Sequence, residues 1–165
     1  MTGSDPKQDL RRYLQIAREV LLWKLEGLSD YDIRRPMVPT GTNLLGLVKH
    51  VAGVEAGYFG DVFDRPFGEP LPWLDDGAEP NADMWATAKE SREQIVDLYH
   101  RVWAHSDATI DVLAPEAIGH VAWWPDDRRE VTLHRILVHV IAETNRHAGH
   151  ADIIRETIDG AKTMG

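Results

Sequence analysis

The 165-residue chain contains no cysteine, and this absence excludes several kinds of site at once. Disulfide bonds, zinc–thiolate clusters and a cysteine nucleophile are all impossible. Any sulfur nucleophile must therefore arrive as a small molecule. The missing disulfides fit a reducing compartment. The opening MTGSDPKQDLRRYL has no apolar run that would act as a signal peptide, so we expect a cytoplasmic protein.

Positive charge and long apolar runs are also scarce. Lysine and arginine number 18 against 27 aspartates and glutamates, which gives a net charge of −9. A nucleic-acid binder needs a positive surface that displaces counterions from phosphates. The densest clusters of basic residues are mere pairs such as Arg34-Arg35, and no run of about eighteen apolar residues occurs. We therefore expect neither a nucleic-acid partner nor a membrane span.

Four segments repeat apolar residues every three or four positions, which predicts amphipathic helices. The predicted helices run from Asp5-Pro6 to a break at Leu28-Ser29-Asp30, from a cap at Thr42 or Asn43 to about Phe63, from about Asn81 to Ile110, and from a cap at Thr132 to Asp159-Gly160. The stretches 65–80 and 111–130 read as long irregular connections. The pattern predicts an all-α four-helix bundle in a single domain over residues 1–165.

The last helix carries the strongest candidate for a site. At about 100° per residue, Glu143 lies about 40° from His147 and one turn before it. Ile154 falls on the same side, so both polar side chains project from the apolar face. Burying an ionised carboxylate and an imidazole is costly without a partner. A divalent cation suits both groups, so the pair predicts part of a metal site.

His50 on the second helix is the best third ligand. Its flank carries Gly46, Gly53 and Gly57. Such a row either lets a neighbouring helix approach closely or leaves room for a ligand. The spacing also fits simpler interpretations, since a glutamate and a histidine four residues apart often form only a hydrogen-bonded pair and a lone histidine is often a core residue.

Other polar residues are candidates by position only, for orienting a ligand or contacting a substrate: Glu55, His139, Arg146 and His150. Glu55 lies among apolar neighbours on the second helix. It either orients a ligand imidazole or forms an ion pair with an arginine such as Arg146.

Two segments, NLLGLVKHVAGVE at 43–55 and LVHVIAETNRHAGHAD at 137–152, resemble the DinB-like superfamily, and more closely an actinobacterial branch of it. The resemblance extends from the loop at Leu28 to Gly160. It implies a four-helix bundle with a metal held by His50, Glu143 and His147. Most members use three histidines, and the His–Glu–His set is similar to that of mycothiol-dependent maleylpyruvate isomerases.

The resemblance and the missing cysteine together imply a metal-dependent transferase or isomerase that uses a low-molecular-weight thiol such as mycothiol. A metal-dependent hydrolase using activated water is an alternative. Another is a non-catalytic, stress-related protein that binds a metal or small ligand. Zinc is the expected ion, and nickel, iron or manganese also suit the ligands. The family and the many tryptophans favour a homodimer, although Trp123 and Trp124 could instead line a pocket mouth.

Overall fold

The computed structural model describes residues 5–161, and within them the chain forms four α-helices with a small two-stranded sheet. The elements are α1 (Pro6–Trp23), α2 (Leu44–Phe59), α3 (Arg92–Val112), β1 (Ile118–His120), β2 (Glu130–Thr132) and α4 (Leu133–Asp159). Helix α4 packs against α1 and α2, and α2 also packs against α3. The predicted all-α bundle is confirmed. The single domain over residues 1–165 stays a prediction, and its two ends lie outside the described residues.

Several helix ends follow signals that the sequence carries. Asp5 accepts a hydrogen bond from the backbone of Lys7 at 3.0 Å, and proline occupies the first turn of α1. Thr132 caps α4 through a hydrogen bond to the Arg135 backbone at 3.2 Å. Helix α4 stops at Gly160, whose φ of 72° is left-handed and suits glycine. These predicted boundaries are confirmed.

The start predicted for the third helix is wrong. Helix α3 begins at Arg92, about eleven residues after the predicted start near Asn81. Ser91 and Gln94 form a reciprocal capping box, which satisfies two backbone donors and fixes the start of the helix. Trp85 lies before this cap, in the connection between α2 and α3. The three-residue step from Trp85 to Ala88, which contributes to the predicted start near Asn81, is therefore misleading.

The first two helices end earlier than their apolar patterns suggest. Helix α1 ends at Trp23, and the chain continues through turns to Gly27, whose φ of 73° is left-handed. Helix α2 stops at Phe59 because Gly60 adopts φ −97° and ψ −85°, which turns the chain out of the helix. A further difference is the β1–β2 pair, which lies in the stretch expected to be irregular. Its strands of three residues each are too short for a recognisable alternation.

The connection between α2 and α3 lies directly on the surface of α2. The Asn43 side chain caps α2 through the Gly46 backbone at 2.8 Å and also accepts a hydrogen bond from the Ala86 backbone at 3.1 Å. A Cβ atom at Gly46 would lie 2.2 Å from the Met84 carbonyl oxygen. The predicted close approach is thus confirmed for Gly46, although a loop backbone makes it rather than a helix. This contact fixes the loop that carries Asp83.

Candidate functional site

A cavity of about 640 Å³ lies between α2, α4 and the connections that cover them. Its walls combine apolar, aromatic and ionisable side chains, a mixture common in small-molecule sites. The lining residues are His50, Gly53, Val54, Gly57, Tyr58, Asp61, Leu74, Asp83, Trp123, His139 and Glu143. Gly53 and Gly57 leave part of the α2 surface open, so the glycine row serves both a close approach and a cavity.

Two of the three predicted metal ligands, His50 and Glu143, line this cavity, and His147 lies beside both of them. The rings of His50 on α2 and His147 on α4 meet edge to face, with 4.4 Å between their centroids. The Nε2 atom of His147 lies 3.6 Å from Glu143 Oε2. The other oxygen of Glu143 accepts a hydrogen bond from Arg146 Nη1 at 2.5 Å. In the described part of the chain, no group of three or more histidine, aspartate or glutamate side chains is arranged to hold one metal ion.

His147 is buried and electrically neutral at pH 7. Burial is the main cause that lowers its pKa from 6.5 to about 4, and the nearby imidazoles of His50 and His150 add to the effect. Its Nδ1 atom is buried and has no hydrogen-bond partner among residues 5–161. An unpartnered polar atom inside a protein is costly and calls for an explanation. A neutral imidazole is also the form that binds a metal ion.

Asp83 is a site residue that the sequence did not reveal. Its Oδ2 atom accepts a hydrogen bond from His50 Nδ1 at 2.6 Å. This bond is the main reason that the pKa of Asp83 lies below its usual value, although burial opposes the shift. A carboxylate in this position fixes the orientation and tautomer of the imidazole and leaves Nε2 free. The loop around Asp83 also holds Asp75, Asp76 and Glu79, so no sequence signal separated it from its neighbours.

The aromatic wall of the cavity is organised around Tyr58. Both indole N–H groups of Trp124 and Trp123 donate to its phenol oxygen, at 3.0 and 3.4 Å. The His139 ring packs edge to face against Tyr58, with 4.7 Å between centroids. Burial lowers the pKa of His139, and the charge of Glu143 only partly offsets this. His139 is therefore neutral at pH 7 and lies within the cavity wall.

Glu55 lies elsewhere in the bundle. Five residues after His50 on one helix correspond to a rotation of about 140°, which turns Glu55 away from the cavity. Among residues 5–161 its carboxylate bonds Arg18, with Nη2 to Oε2 at 2.7 Å, and Tyr99, with the phenol oxygen to Oε1 at 3.2 Å. Of the two interpretations of Glu55, the ion pair with an arginine is confirmed, although the arginine is Arg18 and not Arg146, which bonds Glu143. The other interpretation, orienting a ligand imidazole, is wrong for Glu55, and Asp83 takes that position beside His50.

Two remaining candidates lie at the edge of the site. His150 is exposed, and its ring centroid lies 5.3 Å from that of His147. Arg146 is exposed and contacts the site only through Glu143. Neither side chain lines the cavity.

Comparison with known proteins identifies the family. The family model described as mycothiol-S-transferase matches residues 9–160. The chain belongs to the mycothiol-S-transferase family. This membership agrees with the resemblance to the DinB-like superfamily, and it makes the chain a mycothiol-related transferase with a small-molecule substrate. No functionally curated protein matches the sequence significantly.

A solved structure supports the fold of this mycothiol-S-transferase family member. The crystal structure of a conserved protein from Enterococcus faecalis matches with a TM-score of 0.73 and 17% sequence identity, covering 96% of this chain and 100% of the other. At this identity the likeness concerns the fold alone. None of the helices within residues 5–161 is long and apolar enough to cross a membrane.

Proposed function

We propose that this mycothiol-S-transferase family member joins the sulfur of mycothiol to an electrophilic small molecule, with the help of a divalent metal ion. In the reaction a sulfur–carbon bond forms, the bond from that carbon to its leaving group breaks, and the thiol proton passes to a base. The observation that carries the proposal is the meeting of His50 and His147 at 4.4 Å beside Glu143, at the end of a cavity.

His50, Glu143 and His147 are the residues that would hold the metal. Two neutral imidazoles and one carboxylate are a donor set typical of catalytic zinc, and nickel, iron or manganese would also suit it. The neutral imidazole of buried His147, whose Nε2 atom lies 3.6 Å from Glu143 Oε2, and the hydrogen bond from His50 to Asp83 both fit a metal-binding role. To bind the ion, the Glu143 carboxylate would give up its hydrogen bond from Arg146. When bound, the ion supplies a positive charge that favours the thiolate form of a thiol.

His139 is the proposed acceptor of the thiol proton. It lines the cavity, lies one helical turn before Glu143, and is neutral because burial lowers its pKa. General-base catalysis of this kind contributes about 100-fold or more to a rate.

Turnover of a fluorogenic alkyl halide by metal-loaded protein tests the proposal. We expect product formation to require mycothiol, and His139→Gln to lower kcat by about 100-fold with unchanged metal content. Glu26→Gln is the matched control, because Glu26 is exposed and does not line the cavity. Turnover without any thiol would favour a metal-dependent hydrolase. Absence of mycothiol binding in calorimetry would refute the proposal.

A further inference from the structure

Trp123 presents an exposed indole ring at the wall of the cavity. It is 53% exposed, although it is one of the largest apolar side chains in the protein. Its position is fixed by the hydrogen bond to Tyr58 at 3.4 Å and by edge-to-face packing on the same ring, with 5.2 Å between centroids. A Cβ atom at Gly57 would lie 3.4 Å from the Trp123 ring, so the indole also borders the open surface of α2. A flat apolar surface is thus held ready in the cavity.

Asp61 supplies a carboxylate to the same cavity. It is exposed and lies just after α2, in the short 3₁₀ helix Asp61–Phe63. The other carboxylates of the cavity are engaged, Asp83 with His50 and Glu143 with Arg146. Within residues 5–161 the Asp61 carboxylate takes part in no hydrogen bond or ion pair, so its oxygens are available as acceptors.

A ligand with a hydroxylated ring fits the indole of Trp123 and the carboxylate of Asp61 better than a purely apolar ligand or an anion does. The C–H face of a sugar ring packs on an aromatic side chain, because both surfaces are flat and apolar. The hydroxyl groups at its edge are donors, and an ionised carboxylate is an acceptor only. An apolar ligand would offer the Asp61 carboxylate no donor, and an anion would be repelled by it.

We propose that Trp123 and Asp61 form a glycosyl subsite, which binds the sugar portion of the thiol cosubstrate. This inference rests on the proposed function and deepens it. Mycothiol is an acetylated cysteine joined through an amide to a glucosaminyl inositol, so it carries both a sulfur and hydroxylated rings. The sulfur belongs at the histidine end of the cavity, and the rings belong at the indole.

Calorimetric titration with N-acetylglucosaminyl inositol tests the subsite. This probe is neutral and contains no sulfur, so its binding is independent of the metal and of turnover. We expect it to bind the metal-free wild-type protein. Trp123→Ala and Asp61→Asn should each weaken binding by about tenfold or more, while Trp123→Phe keeps most of it because a flat ring remains.

Asp76→Asn is the matched control, because Asp76 is exposed, equally charged and outside the cavity lining. We expect it to bind the probe like the wild type. Thermal unfolding of each variant separates lost binding from lost folding, and Asp61→Asn decides the matter if Trp123→Ala does not fold. Equal binding by wild type and Asp61→Asn, or no binding by a wild-type protein that binds mycothiol, would overturn the subsite. Failure of the transfer reaction alone would refute only the proposed function.

Discussion

Replacing Glu55 by glutamine should destabilise the bundle strongly without touching the cavity. Arg18 and Glu55 are both fully buried, and two nitrogens of the guanidinium bond the carboxylate at 2.7 to 3.1 Å. Burial alone would lower the pKa of Arg18, but the charge and hydrogen bonds of Glu55 outweigh it and raise that pKa. Within residues 5–161, Glu55→Gln would leave Arg18 as a buried cation with only the partly exposed Asp107 as an anionic partner.

Removing one partner of a buried ion pair lowers the free energy of unfolding by about 3 to 5 kcal/mol, because the remaining charge stays desolvated. In a chain of this size the loss corresponds to a decrease in Tm of about 10 °C. Urea unfolding followed by circular dichroism measures the loss. The double variant Arg18→Met, Glu55→Leu removes both charges and should recover most of the stability.

The exposed Glu26→Gln serves as control and should change stability by less than about 0.5 kcal/mol. Metal content per folded Glu55→Gln chain should equal that of the wild type, since Glu55 does not line the cavity. A loss of stability below about 1 kcal/mol would refute the buried ion pair. A loss of metal with normal stability would show instead that Glu55 contributes to the metal site.

Three further predictions follow from single contacts. Asp83→Ala should weaken metal binding by about 10- to 100-fold, measured by competition with a chelator, because the hydrogen-bonded imidazole loses its orienting carboxylate; unchanged affinity would contradict this role. Burial would raise the pKa of Glu90, but the hydrogen bonds from Lys49 and Thr87 and the charge of Lys49 outweigh the effect of burial and lower that pKa below 4.5. The stability difference between wild type and Glu90→Gln should therefore be complete at pH 7 and shrink as the pH falls below 4.5, and a constant difference in acid unfolding curves would refute it. Gly46→Ala should cost about 1 to 3 kcal/mol, because its Cβ would overlap loop backbone, whereas Gly149→Ala, with no atom within 4 Å of its Cβ, should stabilise α4 by about 0.5 to 1 kcal/mol; equal effects in urea unfolding would contradict the close approach.

The site residues that were predictable lie on long helices whose apolar residues repeat with a clear helical period. His147 and Glu143 share one face of α4, and the apolar stripe fixes which way that face points. His50 follows from the same argument on α2, so the juxtaposition of the three side chains was accessible from periodicity and resemblance. The start of α4 at Thr132 was equally accessible, because a cap is a local feature of sequence.

The residues that were missed depend on where the connections run. Asp83 lies in a segment interpreted as helix, and its contact with His50 depends on a loop that crosses α2 at Gly46. Tyr58 looked like one more member of an apolar stripe, and only the fold brings Trp123 and Trp124 to its oxygen. Such tertiary contacts leave no periodic signal. The homodimer and the cytoplasmic location stay predictions, to be checked by light scattering and by cell fractionation.

Metal content is the most direct test of the proposed centre. Purified wild-type protein and His147→Ala, prepared identically and shown to be folded, are compared by inductively coupled plasma mass spectrometry. If the proposed centre forms from the neighbouring side chains of His50, Glu143 and His147, we expect one divalent ion per wild-type chain and none in the variant. Equal metal content in the two proteins would contradict the proposed centre.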